Sequence, residues 1–220
     1  MPKTVKICGL SDEEGVDAAL HAGADLVGFV FFPPSPRDVT LGRAAALARR
    51  ARGSALVVAL TVDAGDDVLR DIAGALKPDL LQLHGKESPA RAAAVKALTG
   101  ISVMKVIGVA AAADLAAADR YPAAERLLLD AKPPKDAARP GGHGAAFNWS
   151  ILKGFSCSRP WLLAGGLTPG NVDAALMATG ANGVDVSSGV ESTPGRKDPA
   201  LIEAFVRAVR ASERPRRLAG

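Results

Sequence analysis

Hydrophobic positions along this chain follow two alternating rhythms. Apolar runs of strand length recur eight times: TVKICG, ADLVGFVF, SALVVALTV, DLLQLHG, ISVMKVIGV, ERLLLDAK, PWLLAGG and GVDVSSGV. Between them lie Ala-rich amphipathic stretches near residues 12–22, 41–51, 66–76, 89–98, 111–119, 148–154 and 170–179, with a last one near 199–212. Short apolar runs bounded by turn residues read as buried strands, and helical periodicity reads as helix. Start signals support several helices: Thr40 before Leu41, Ser88 before Pro89 and Thr168 before Pro169. Strands alternating with helices predict a parallel sheet. Eight such units predict an α/β fold, a closed (β/α)8 TIM barrel, rather than an open sheet.

The length of 220 residues suits one such barrel. No composition shift marks a second domain. The expected organisation is therefore a single barrel over 1–212 and a basic, disordered C-terminal tail over 213–220. The stretch PPKDAARPGGHGAA, 133–146, is a long Pro/Gly-rich loop, and such loops at a barrel mouth are usually lids or binding loops.

Alternation along each strand sorts side chains between the helix layer and the barrel interior. Val5 and Ile7 suit the helix side, which turns Lys6 and Cys8 inward. The same parity turns Gln82 and His84 inward on the fourth strand, Leu128 and Asp130 on the sixth, and Asp185 and Ser187 on the eighth. Lys105 on the fifth strand is a further candidate. Lys6, Gln82, Asp130 and Asp185 are costly to bury unpaired, yet they converge toward the strand ends where barrel enzymes hold their chemistry. Each has a plainer reading: Cys8 as a small core filler, His84 as a satisfied core histidine, Asp130 as a loop cap. Lys6 and Asp185, on strands that become neighbours on closure, suit a structural ion pair. Cys8 and Asp130 stand at matching heights, each just before its loop, and this favours a catalytic pair.

Two loops add a ligand. Strand seven ends AGGLTPGNV, where Gly165 and Gly166 allow close backbone approach. Strand eight ends DVSSGVE, where Ser187, Ser188 and Gly189 offer amides and hydroxyls. Barrels often hold a phosphate between these loops; the alternative is a pair of tight turns. Arg37, on the Pro-stiffened loop FFPPSPRDVT, stands at the mouth opposite the phosphate end. It is either a solvated surface arginine or a two-pronged holder of a carboxylate.

Composition narrows the class. Apolar residues make up 48% and charged residues 23%, ordinary for a soluble globular enzyme. The net charge is +4, and Arg214, Arg216 and Arg217 against Glu213 place much of it in the tail. No basic stripe interleaves with aromatics, so nucleic acid is not an expected partner. Two cysteines, Cys8 and Cys157, form neither a disulfide framework nor a metal knuckle. A cytoplasmic protein is expected. The start MPKTVKICGL has no signal-peptide character, and no run is long enough to span a membrane.

Taken together, VKICGL, GADLVGFVFFPPSPR, LLQLHG, LLLDAK, LLAGGLTPGNV and GVDVSSGVES resemble the phosphoribosylanthranilate isomerase family of tryptophan biosynthesis, from Val5 to about Phe205. The resemblance implies an Amadori rearrangement of N-(5-phosphoribosyl)anthranilate to 1-(2-carboxyphenylamino)-1-deoxyribulose 5-phosphate. It implies Cys8 as general base, Asp130 as general acid and Arg37 on the anthranilate carboxylate. Gly165, Gly166, Ser188 and Gly189 take the phosphate. Gln82, His84, Asp185 and Ser187 complete the substrate-facing set. The partner is then a small phosphorylated substrate, no cofactor is needed, and the protein is a monomer or a homodimer. Inward Lys6 is expected to favour the Cys8 thiolate. Three positions depart from the family pattern: His143 and Asn148 in GGHGAAFNW, and Asp38 after Arg37. Asn148 can still cap the segment that follows.

Other classes remain as rivals. A Schiff-base aldolase would use Lys132 or Lys105, though neither has an obvious partner to lower its pKa. A non-catalytic phosphate-binding barrel has no use for both Cys8 and Asp130. An isomerase that also serves a histidine-pathway substrate would more naturally carry Asp in place of Cys8.

Overall fold

The computed structural model describes residues 2–132 and 148–213. It begins with β1 (Thr4–Cys8), α1 (Glu13–Ala22), β2 (Leu26–Phe31) and α2 (Leu41–Ala51). Then come β3 (Leu56–Thr61), α3 (Asp66–Leu76), β4 (Leu80–Leu83), α4 (Pro89–Thr99), β5 (Ser102–Val109) and β6 (Arg126–Ala131). The last part holds β7 (Trp161–Leu163), α5 (Val172–Thr179), β8 (Gly183–Val186), a small pair β9 (Glu191–Thr193) and β10 (Arg196–Lys197), and α6 (Pro199–Ser212). Strands β1 to β8 are parallel and close into a barrel in chain order, β8 pairing back onto β1. His143 and Arg214–Gly220 lie outside the described residues.

Local chemistry sets the helix starts. Asp12, Thr40, Ser88 and Asp198 each accept a hydrogen bond from a backbone N–H of the first turn, satisfying donors the helix leaves orphaned. Thr168 does not act this way. The helix begins later, at Val172, because Asn171 is used for the preceding loop: its Oδ1 accepts from Thr168 N at 2.8 Å and its Nδ2 donates to Gly166 O at 2.9 Å. The stretches expected as helices near 111–119 and 148–154 are 3-10 segments, Ala112–Arg120 and Trp149–Leu152. The first buries only Ala118, too small an apolar face to anchor a full α-helix. Asn148 caps the second through Ser150 N at 3.0 Å, as expected of it.

One device recurs at the base of the barrel. The acid just before an even-numbered strand accepts from a backbone N–H near the start of the strand before it. Asp25 takes Val5 N at 2.8 Å, Asp79 takes Val57 N at 2.7 Å and Glu125 takes Val103 N at 2.8 Å. Each bond fixes the stagger of one strand pair.

Strand parity sorts the core as the sequence predicts. Val5, Ile7, Leu81, Leu83, Leu127, Leu129, Val184 and Val186 pack with the helices. Leu26, Val58, Leu80, Met104, Val106, Leu128, Leu162 and Ala164 form a separate cluster that fills the interior. This plug leaves the mouth to polar side chains, as in other barrels packed by layers.

Candidate active site

Cys8 closes β1 and is 3% exposed, packed with Val30 and Leu60 and flanked by Phe32 and Val62. One layer below, Lys6 is fully buried and its Nζ donates to Asp185 Oδ1 at 2.7 Å. Gly28 faces Cys8 in register, and a Cβ there would lie 3.1 Å from both Cys8 Sγ and Lys6 Nζ. The missing side chain is what lets thiol and ammonium share the space. Burial pulls the Lys6 ammonium down, but Asp185 and Cys8 together hold it above its usual value. Burial pushes the Cys8 thiol up, and Lys6, though it pulls the other way, does not outweigh it. So Lys6 acts in the expected direction, but burial has the larger effect.

Asp130, one residue before the end of β6, lies on the inward parity and is 8% exposed. Its Oδ1 accepts from Ala131 N at 2.8 Å. Its Oδ2 lies 3.3 Å from His84 Nε2, off the line of a hydrogen bond. Gln82 Nε2 meets His84 Nδ1 at 3.2 Å, so inward Gln82 of β4 and His84 just past the strand brace each other beside Asp130. Gln82 Oε1 and His84 Nε2 are buried without a hydrogen-bond partner among the described residues. Unpaired polar atoms of this kind at a barrel mouth suit a ligand rather than a finished core.

The loops after β7 and β8 lock together. Gly165 and Gly166 adopt φ of +89° and +63°. A Cβ on Gly165 would come 2.7 Å from Ala131 N and 3.0 Å from Asp130 Oδ1. A Cβ on Gly189 would sit 1.8 Å from Leu167 O, so only glycine fits where the two loops touch. Ser188 and Gly189 belong to this junction. Ser187 points its role elsewhere: its Oγ and O meet Lys197 Nζ at 3.2 and 3.0 Å.

Arg37 is neither a surface arginine nor set across the mouth from strand eight. It is 5% exposed, and its Nε and Nη2 donate to Glu191 Oε1 and Oε2, each at 2.7 Å. A Cβ on Gly9 would lie 2.8 Å from Arg37 Cδ and 3.1 Å from Ser187 Oγ, so the arginine stem runs over the end of β1 beside β8. The reason is the β9–β10 hairpin, which the apolar pattern does not register. It returns Glu191 to the mouth and adds Lys197, whose Nζ donates to Glu191 Oε1 at 2.7 Å. Burial pushes the Glu191 carboxyl up, but Arg37 and Lys197 bring it below its ordinary value. Glu191 and Lys197 are the residues around Arg37 that sequence reasoning missed. The available signal was the PG turn within VESTPGRKD. Asp38, the departure beside Arg37, is used locally, its Oδ1 accepting from Phe32 N at 2.7 Å.

Lys105 does not join the site. It lies on the helix-facing parity of β5, and its Nζ donates to Leu83 O, Gly85 O and Glu87 Oε2 at 3.2, 2.8 and 2.6 Å. All three hydrogens of the ammonium are occupied, bolting down the loop that follows His84. Lys132 is exposed and lies 3.3 Å from Asp114 Oδ1. Neither lysine is placed for a Schiff base at the mouth.

The family model described as N-(5'phosphoribosyl)anthranilate (PRA) isomerase matches residues 5–208. The N-(5'-phosphoribosyl)anthranilate isomerase of Rhodopseudomonas palustris (strain BisB5) is 58% identical over 214 residues, covering 97% of this chain and 98% of the relative. The phosphoribosyl anthranilate isomerase of Thermotoga maritima is 32% identical, with a TM-score of 0.86 over 96% of this chain and all of its own. A phosphoribosyl anthranilate isomerase in complex with reduced 1-(o-carboxyphenylamino)-1-deoxyribulose 5-phosphate is 31% identical, with a TM-score of 0.83 over 96% of this chain and 100% of that one.

Proposed function

The chain belongs to the N-(5'-phosphoribosyl)anthranilate isomerase family and is an isomerase of tryptophan biosynthesis, and from that premise we propose how its own residues perform the reaction. Asp130 protonates the ring oxygen of the phosphoribosyl group. The furanose opens to a Schiff base with the anthranilate nitrogen. Cys8, as thiolate, removes the proton on the second ribose carbon, and the enolamine that results tautomerises to the ketone, 1-(2-carboxyphenylamino)-1-deoxyribulose 5-phosphate.

One observation carries this reading. A buried thiol and a buried carboxyl end two inward-facing strands of one barrel mouth, the thiol beside an ammonium. The wall that raises the thiol also makes the thiolate a stronger base. Lys6 stabilises the anion once the proton leaves, and the cationic Schiff base adds to that effect. Gly165, Gly166, Ser188 and Gly189 take the phosphate at the junction of the last two loops. The free edge of Arg37 takes the carboxylate. Gln82 Oε1 and His84 Nε2, left without a hydrogen-bond partner among the described residues, face the ribose hydroxyls, and Ala131 N keeps Asp130 oriented. Asp185 acts through Lys6, and Ser187 through Lys197. No metal or cofactor enters. The partner is a small phosphorylated molecule, and no helix of the described residues is long and apolar enough to cross a membrane.

The test is a fluorescence assay of phosphoribosylanthranilate consumption, with wild type and Cys8→Ala side by side. Turnover by the wild type and a loss of roughly 10²–10⁴-fold in the folded variant supports the assignment. Equal rates in both would remove Cys8 as the base.

A further inference from the structure

We propose that Glu191 is a positioning residue for Arg37, gripping one edge of the guanidinium so that the other edge is aimed at the substrate carboxylate. This rests on the reading of Arg37 given above and deepens it.

A guanidinium carries five N–H groups in a rigid plane. Glu191 takes the Nε edge, using Nε and one hydrogen of Nη2. The opposite edge, Nη1 with the second hydrogen of Nη2, has no acceptor among the described residues. That edge is itself a two-pronged fork, the shape that matches a carboxylate. With four χ angles Arg37 would otherwise sample many directions. Here its side chain and that of Glu191 are 6% and 4% exposed, so water competes little for the pair.

Glu191 is held as firmly as it holds. Lys197 Nζ donates to its Oε1 at 2.7 Å and Gly195 N to its Oε2 at 3.2 Å. Gly195, at φ +88°, presses the hairpin turn onto the arginine loop: a Cβ there would sit 2.4 Å from Pro36 O. Arg37, Lys197 and Glu191 leave one surplus positive charge in the cluster. It accommodates an incoming anion without displacing Glu191. A rival view makes Glu191 an internal competitor that blocks Arg37 until substrate arrives. The two views predict opposite signs for removal of the carboxylate.

The experiment compares N-(5-phosphoribosyl)anthranilate with N-(5-phosphoribosyl)aniline, which lacks the carboxylate, in wild type, Arg37→Ala and Glu191→Gln. Glu191→Gln is expected to raise KM for the anthranilate substrate by roughly tenfold to a hundredfold, with kcat and the aniline substrate changed by less than about threefold. An unchanged or lowered KM for the anthranilate substrate overturns the proposal, and so does an equal loss on both substrates. Arg37→Ala separates the two levels. If it selects between the substrates and Glu191→Gln does not, only the positioning role falls. If it does not select, the carboxylate reading of Arg37 falls and the proposal with it. Should Glu191→Gln not fold by circular dichroism, Glu191→Asp, one methylene shorter, is judged by the same substrate selectivity.

Discussion

Lys6 Nζ donates to Asp185 Oδ1 at 2.7 Å across the seam that closes the barrel, where the two residues pair in register between β1 and β8. Removing one partner strands the other charge inside. Lys6→Met is expected to cost about 3–5 kcal/mol, whereas Lys6→Met with Asp185→Leu costs much less. Urea unfolding of the three proteins measures both. In Lys6→Met the Cys8 thiol also loses the cation that lowers its pKa, so its alkylation rate rises only at higher pH than in wild type.

The raised Cys8 thiol gives stability a defined alkaline edge. Between the ordinary thiol value of 9.0 and the higher folded value, the unfolded chain has lost a proton that the folded one keeps. The contribution is therefore complete below the ordinary value and is lost as pH rises through the folded one. Cys8→Ser should flatten this decline in unfolding free energy measured against pH. Glu191 works with the opposite sign. Its lowered carboxyl contributes stability above the ordinary value of 4.5 that is lost as pH falls below it, and Glu191→Gln should flatten that acid limb.

Asp130→Asn retains the shape of the carboxyl and the contact with Ala131 N but cannot deliver the same proton. Turnover should fall about 10²–10⁴-fold while the melting curve stays near that of wild type. Single-turnover kinetics that showed normal ring opening would remove Asp130 as the acid.

Gly28→Ala places a methyl 3.1 Å from Cys8 Sγ and from Lys6 Nζ. The added carbon has to displace one of them. Overpacking of this kind costs about 1–3 kcal/mol. Activity should fall further than stability alone explains, because Cys8, the proposed base, moves from its seat. Parallel measurement of kcat and thermal unfolding checks the split.

Fold and site were legible in the sequence to different depths. All eight strands stand out because the interior is filled by period-two alternation, which turned Leu128 inward with Asp130 and Ile7 outward. The segment Ala112–Arg120 is helical as the alanine pattern suggests, but it is 3-10 rather than α, because alanine has helical propensity but too little surface to hold a full turn against the barrel. Lys105 was ambiguous for a different reason: a lysine on the helix-facing parity makes sense only once Glu87 and two carbonyls are known to surround it. The loops after β7 and β8 were visible as glycines, since positive φ at Gly165 and Gly166 and close approach at Gly189 demand them. Glu191 and Lys197 were not, because β9 and β10 are too short and polar to show periodicity. The ion-pair network around Arg37 exists only after they fold back.

The pairing of Lys6 with Asp185 spans 179 positions, and that span also acts in time. A ribosome delivers the carboxylate about 10–40 s after the lysine at ordinary rates of synthesis. Until then the first strand carries an ammonium with no interior to enter and an unpaired edge awaiting β8. The nascent chain therefore cannot complete its ring as it emerges. Closure waits for β8, and the early strands depend on remaining unassociated until it arrives.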